Sequence, residues 1–281
     1  MEHDAAGSLA QPLHFIQDFS LPHRRPASNM GVESLCESCR QHELCLPASV
    51  VESGCLPHGN VLIGRRRLRK GQDLFRQGDR FDYVYAVRAG TFKTRFGLRD
   101  GREHVTGFAL AGDLLGLDAV QTGMHGCSAT ALEDADVCSF PYEAFIAAPE
   151  SASALHERIT QFMAAELARG RSLLMLVAHA NSDARVAAFL LQMSHRLAER
   201  GFSPDEFQLR MSRADIGSYL GLTLETVSRT MSALDARGWV RVHKKRLRLL
   251  RRDSLAQLCD EVLPGCDPLF ACGAPPAAIA A

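Results

Sequence analysis

Three cysteines near the N-terminus, Cys36, Cys39 and Cys45, stand in a C-x2-C-x5-C arrangement within CESCRQHELCLP (36–47). A C-x2-C pair puts two thiolates on one side of a turn, where they can bind neighbouring corners of a metal centre. Thiolate sets favour iron–sulfur clusters or zinc, and their chemistry alone does not choose between the two. Either site normally takes a fourth thiolate. Cys55 is close enough in the chain to complete a local four-cysteine zinc site; Cys127, Cys138, Cys259, Cys266 and Cys272 lie farther along. In a reducing compartment clustered thiols point to metal or redox chemistry rather than to disulfides. Cluster, zinc site and thiol redox switch are the readings open from these residues.

A second constellation lies in MSRADIGSYLGLTLETVSRTMSALDARGWV (211–240). Ser212 can cap a helix carrying Ile216, Tyr219 and Leu220, and Gly221 breaks it as the tight turn of a helix-turn-helix requires. Thr223 can cap a second helix with Glu225 and Thr226 in its first turn. Leu222, Val227, Met231 and Leu234 would face inward, and Glu225, Ser228 and Arg229 outward. Side chains near the start of a recognition helix reach base edges in the major groove. Arg can bind guanine O6 and N7 together, and Glu can accept from cytosine N4, so the two can read one G·C pair. A surface ion pair between Glu225 and Arg229, four residues apart, would by itself be worth only about 0.2–0.5 kcal/mol. After Gly238, WVRVHKKRLRLL alternates enough for two short wing strands. Lys244, Lys245 and Arg246 sit at their turn, suited to phosphate contacts. Residues 237–252 carry eight Lys and Arg and no acid, although the whole chain has zero net charge. A local basic stripe is the footprint of a polyanionic partner, here double-stranded DNA.

These groups need a scaffold. The 281 residues suffice for two compact domains, with 46% hydrophobic and 23% charged residues, as expected of a globular protein. Residues 62–141 show short apolar runs, such as YVYAV (83–87) and TFKTRFGL (91–98), broken by turn dipeptides including Lys70-Gly71, Gly78-Asp79, Ala89-Gly90, Asp100-Gly101 and Gly112-Asp113. That texture predicts an antiparallel sandwich or roll. Residues 152–178 contain no proline and are rich in helix formers. Ile159, Met163, Leu167, Gly170, Leu174 and Val177 recur along them at three- and four-residue steps, an apolar seam for pairing with a second copy or for packing on its own domain; the helix is long for one small domain to cover, which favours the pairing. Another helix is predicted over about 182–200, with Asp183 near its start and Gly201 as its stop. No apolar run approaches the roughly 20 residues that span a bilayer, and the start, MEHDAAGSLAQPLHF, lacks the pattern of a secretory signal. A cytoplasmic protein without membrane partners is expected. There is no GxxxxGK[ST], HExxH or GxSxG pattern, so an enzyme is not expected.

The sequence resembles the CRP–FNR family of bacterial regulators, and within it the FNR branch of oxygen-responsive regulators. The resemblance is carried by KGQDLFRQGD (70–79), YAVRAGTFK (85–93), HVTGFALAGDLLGLDAV (104–120), RGFSPDEFQLRMSRADIGSYLGLTLETVSR (200–229) and the N-terminal cysteines, and spans about residues 33–260. It implies an α+β protein: an N-terminal antiparallel β-roll sensor domain, a long dimerisation helix and a C-terminal winged helix-turn-helix. The expected layout is a tail (1–32), a cysteine-rich segment (33–56), the roll (57–150), the dimerisation helix (151–180), the DNA-binding domain (181–255) and a second tail (256–281). The family pattern E-x-x-S-R, here Glu225, Ser228 and Arg229, implies reading of TTGAT half-sites by a homodimer, with RNA polymerase as a further partner. The branch pattern V-C-x-x-P implies Cys138, in DVCSFP (136–141), as fourth ligand of a 4Fe-4S cluster with Cys36, Cys39 and Cys45. The relatives that bind a cyclic nucleotide hold its phosphate with an arginine. Cys127 stands at that place, with only His125 as a nearby base, so no cyclic nucleotide is expected. Members of the branch often carry an acidic residue midway along the dimerisation helix that helps keep the apo form monomeric. Aligned on Glu166, that position is Gly170, which makes an oxygen-controlled monomer–dimer switch a weaker expectation than cluster binding.

Overall fold

The computed structural model describes residues 64–143 and 153–261. The expected N-terminal tail (1–32), the cysteine-rich segment (33–56) with Cys36, Cys39, Cys45 and Cys55, and the expected second tail from residue 262 on, with Cys266 and Cys272, lie outside the described residues.

Eight strands form the roll: β1 (Gly64–Leu68), β2 (Asp73–Phe75), β3 (Tyr83–Ala89), β4 (Phe92–Gly97), β5 (Glu103–Ala109), β6 (Leu114–Leu115), β7 (Ser128–Ala131) and β8 (Ala135–Pro141). They pair antiparallel in two four-stranded sheets, ordered β1-β8-β3-β6 and β2-β7-β4-β5. Alternate residues point inward, as a half-buried strand requires. Leu68, Leu74, Phe75, Val87, Phe92, Leu115 and Val137 make the roll core with a set of alanines. The five expected turn glycines all take positive φ. Gly90 is the tightest: a Cβ there would lie 2.7 Å from the Ala135 Cβ, so only glycine fits the corner between β3 and β4.

Helix α1 (Ser153–His179) runs for 27 residues, and α2 (Ser182–Ala198) follows after a break at Ala180 and Asn181. The Asn181 side chain accepts from the Ala184 N–H at 2.9 Å and caps α2. That cap, one residue before the predicted start, adds to the first-turn Asp183. The C-terminal unit then comprises β9 (Glu206–Gln208), α3 (Arg213–Leu220), α4 (Leu224–Ala236), β10 (Val240–His243), β11 (Arg246–Leu249) and α5 (Arg252–Asp260). Its sheet, β10-β11-β9, is the wing, with a third strand that the alternation did not reveal. Helix α5 runs past the expected domain edge at 255. Leu255 and Cys259, four apart, bury one helix face in the core, so the folded part extends to Asp260. Cys259 is a core residue whose thiol donates to the Leu255 carbonyl at 3.3 Å.

The core of this unit does not stop at the unit. Val105, Phe108 and Leu110, from β5 and the turn after it, pack in one cluster with Phe189, Leu190, Ile216, Tyr219, Leu220 and Leu234. The Phe108 ring lies 5.9 Å from Phe189 and 5.3 Å from Tyr219.

Candidate nucleic-acid interface and sensor site

Helix α3 begins with a reciprocal cap. Ser212 Oγ accepts from the Asp215 N–H at 3.1 Å, and Asp215 Oδ2 accepts from the Ser212 N–H at 2.9 Å. It ends at Gly221, whose φ of 64° is left-handed backbone that glycine adopts at little cost. The turn is tight: a Cβ on Gly217 would meet the Leu222 carbonyl oxygen at 2.7 Å. Thr223 Oγ1 then accepts from the Thr226 N–H at 3.1 Å and caps α4. Val227, Met231 and Leu234 are buried while Leu222 is only half-buried. Glu225 and Arg229 are exposed, with Ser228 half-buried between them. The Glu225 carboxyl is held below its usual range by its own backbone N–H, the Thr223 hydroxyl and, to a lesser degree, Arg229. It is therefore a ready acceptor. At the wing, Lys244, Lys245 and Arg246 are exposed at the β10–β11 turn, with Lys244 at a φ of 55°. Arg246 reaches Glu206 at 3.6 Å.

Along α1, Leu174 is 68% exposed, Leu167 59% and Met163 49%. Ile159 and Val177 are half-buried, and a Cβ on Gly170 would meet nothing within 4 Å. One protomer thus leaves Met163, Leu167 and Leu174, the middle of the apolar seam, largely uncovered.

Cys138 lies on β8, half-buried, opposite Arg65 of β1 and Ala86 of β3. Val137, its neighbour in sequence, belongs to the roll core, so Cys138 faces the other side of the sheet. Asp136, two residues away on that face, is paired by Arg65 and, at 3.4 Å, by Arg88. Among the described residues no three His, Cys, Asp or Glu side chains gather as a metal site. Cys127 is placed differently. It lines a cavity of about 450 Å³ between the roll and α1, walled by Phe75, Leu115, Phe162, Met163 and Tyr219, with Asp113, Asp118 and Glu166 as acids and Arg169 and Arg196 as bases. Its thiol lies 3.5 Å from Asp118 Oδ2, and burial together with that carboxylate pushes it up to about 12. His125 is buried and stacked on Phe75 at 3.8 Å, with Asp118 at 3.7 Å.

Residues 65–151 match the cyclic nucleotide-binding domain model, and residues 184–258 match the Crp-like helix-turn-helix domain model. The fumarate and nitrate reduction regulatory protein of Escherichia coli strain K12 is 38% identical over 223 residues, which cover 79% of this chain and 89% of that protein. The chain belongs to the FNR branch of the CRP/FNR transcription regulators. The fumarate nitrate reduction regulatory protein of Klebsiella oxytoca is likewise 38% identical, over 80% of this chain and 90% of its own length. Among solved structures, FixK2 from Bradyrhizobium japonicum superposes with a TM-score of 0.62 at 31% identity, covering 70% of this chain and 97% of FixK2. A CRP-family transcriptional regulator from Thermus thermophilus shares the fold, with a TM-score of 0.57 at 20% identity over 70% of this chain and 98% of that one. As a CRP/FNR regulator the chain is a DNA-binding protein with a helix-turn-helix, and its described helices include none long and apolar enough to cross a membrane.

Two groups in this CRP/FNR chain were not anticipated from the sequence. One is Asp113, buried between Arg196 and Arg200. The other is the ion pair of Lys93 with Asp215. The only sequence signal for the second was the S-x-x-D spacing of Ser212 and Asp215, which marks the cap and not its distant partner.

Proposed function

We propose that this regulator senses oxygen through a 4Fe-4S cluster held by Cys36, Cys39, Cys45 and Cys138, and binds TTGAT-like palindromes as a homodimer. The observation that carries the sensor reading is the contrast between two cysteines. Cys138 faces away from the roll interior on a strand face it shares with Asp136 and the arginines that pair it, Arg65 and Arg88, whereas Cys127 is a neutral thiol turned into a cavity. Four thiolates are a fitting donor set. When bound, the cluster would supply an oxygen-labile tie between the cysteine-rich segment and β8. The same cavity argues against a cyclic nucleotide: Cys127 stands where the phosphate-holding arginine is expected, beside the Asp118 carboxylate, and the arginines that line the cavity, Arg169 and Arg196, are already paired with Glu166 and Asp113.

For DNA, Glu225, Ser228 and Arg229 read base edges, Thr223 and Thr226 shape the start of α4, and Lys244, Lys245 and Arg246 hold phosphates. Ile159, Met163, Leu167, Gly170, Leu174 and Val177 pair with the same seam of a second copy. RNA polymerase is the further partner, and the cytoplasm the expected place.

The test is cysteine-to-serine replacement under anaerobic reconstitution. Cys36→Ser, Cys39→Ser, Cys45→Ser and Cys138→Ser should each lose iron, sulfide, visible absorption and oxygen-dependent DNA binding, while Cys55→Ser and Cys127→Ser keep all four. Stoichiometric zinc without sulfide, or a cluster that survives Cys138→Ser but not Cys55→Ser, overturns the reading.

A further inference from the structure

The break between α1 and α2 is two residues long, so the chain path alone leaves the C-terminal unit free to swing. The β4–β5 hairpin and the turn behind it oppose this at three places. Lys93 Nζ donates to Asp215 Oδ1 at 2.6 Å, and the Val105 N–H donates to Ser218 Oγ at 2.8 Å; both acceptors are on α3. Arg196 of α2 and Arg200, just beyond its end, enclose Asp113, which also accepts from the Leu110 N–H at 2.6 Å. Arg196 Nη1 donates to the Phe108 carbonyl at 2.9 Å. Beside them Arg210 reaches Glu133 at 3.0 Å, and Glu133 accepts from Thr91 Oγ1 at 2.8 Å.

We infer that this hairpin clamps the helix-turn-helix, and that Lys93 and Asp113 are positioning residues that set the angle of the recognition helix in DNA reading. Lys93 stands cross-strand from Phe108, so the charge and the aromatic contact share one face of the hairpin. Asp215 couples the contact to the whole of α3, because its second oxygen is held by Ser212. Helix α4 must follow α3, since Gly217 and Leu222 touch across the turn too closely for slippage. The arrangement so held leaves Glu225 and Arg229 turned to solvent, as an operator requires. A dimer meeting two half-sites about 34 Å apart needs both recognition helices at a set spacing. A loose unit would still grip one half-site but would not find both at the correct distance.

The inference rests on DNA binding through α4 and not on the cluster. Its test uses full-length protein, reconstituted without oxygen, and duplexes with inverted TTGAT half-sites at one-turn spacing, with a base pair added or removed, or with a single half-site. Lys93→Ala should keep its iron content, far-ultraviolet spectrum and sedimentation as a dimer. It should lose about tenfold in affinity for the one-turn duplex, a size expected of a coupling contact, and its preference over altered spacings should flatten. Single half-site binding should stay at the wild-type level, and Lys93→Arg should restore the preference. Asp113→Asn serves as a second variant at the α2 contact, with the same expected flattening. Unchanged spacing preference in both variants overturns the inference. Equal loss on every duplex, or a rise in affinity, overturns it too. Should wild-type protein ignore TTGAT, the operator reading fails on its own, and the spacing series is repeated on duplexes selected from random sequence by wild-type protein.

Discussion

At the scale of single residues, the proposed base-reading and phosphate-holding roles lead to different expected outcomes. Arg229 is exposed near the start of α4, so Arg229→Ala should cost on the order of 1–3 kcal/mol at a TTGAT-like site and relax preference at its guanine. Lys245, at the wing turn, should when replaced by Ala weaken binding to all duplexes and lower the slope of affinity against salt. Binding isotherms on specific and random DNA at several salt concentrations distinguish the two; equal loss on both duplexes for Arg229→Ala removes its base-reading role. The caps and the turn that place these residues were legible in the sequence because their signals are local. Thr223 caps the N–H three residues on, and the turn glycine sits where the chain must reverse. Asp113 was not legible, since its arginines lie 83 and 87 residues away and nothing in A-G-D announces them. Cys138 was singled out only through likeness to relatives, because it lies more than ninety residues from the N-terminal cysteines and no local spacing joins it to them.

At the scale of elements, α1 is the part whose structure is incomplete in one protomer. Leaving Met163, Leu167 and Leu174 in water forgoes roughly 1.5–3 kcal/mol for each side chain that could be fully buried. A second copy of the helix is the partner that matches the seam along its length. Leu174→Glu should leave the roll and wing folded by circular dichroism but shift sedimentation to the monomer and abolish tight operator binding. A variant that still sediments as a dimer with full affinity would put the contact elsewhere. Long helices and the better-patterned strands were readable from periodicity. The short strands were not: β6 has two residues, β2 and β9 three each, and they owe their state to the strands beside them. The end of α5 escaped for the same reason, since Leu255 and Cys259 count as core only once α2 lies against them.

At the scale of the whole molecule, the link between sensor and reader is partly ionic. Burial pushes the Asp113 carboxyl up, but Arg196 and Arg200 outweigh it and hold it below the ordinary aspartate range. A lowered folded value means a contribution to stability that is complete above about pH 4 and is lost as pH falls through that value. Asp113→Asn should therefore cost about 3–5 kcal/mol at neutral pH, by leaving two buried guanidinium groups without their carboxylate. The gap to wild type should narrow in acid; denaturant titrations at neutral pH and near pH 3 measure both, and a gap that does not change with pH counts against the ionic account. The apolar side of the same junction bears on how the protein comes apart. Val105, Phe108 and Leu110 are as much a part of the reader's interior as Phe189 and Tyr219 are, so neither portion has a finished surface where they meet. Heating should then give one calorimetric transition whose van't Hoff and measured enthalpies agree, rather than two. A fragment cut to residues 184–258, the natural choice for an isolated reader, would bare Phe189 and Tyr219 to solvent and should aggregate unless those two positions are made polar.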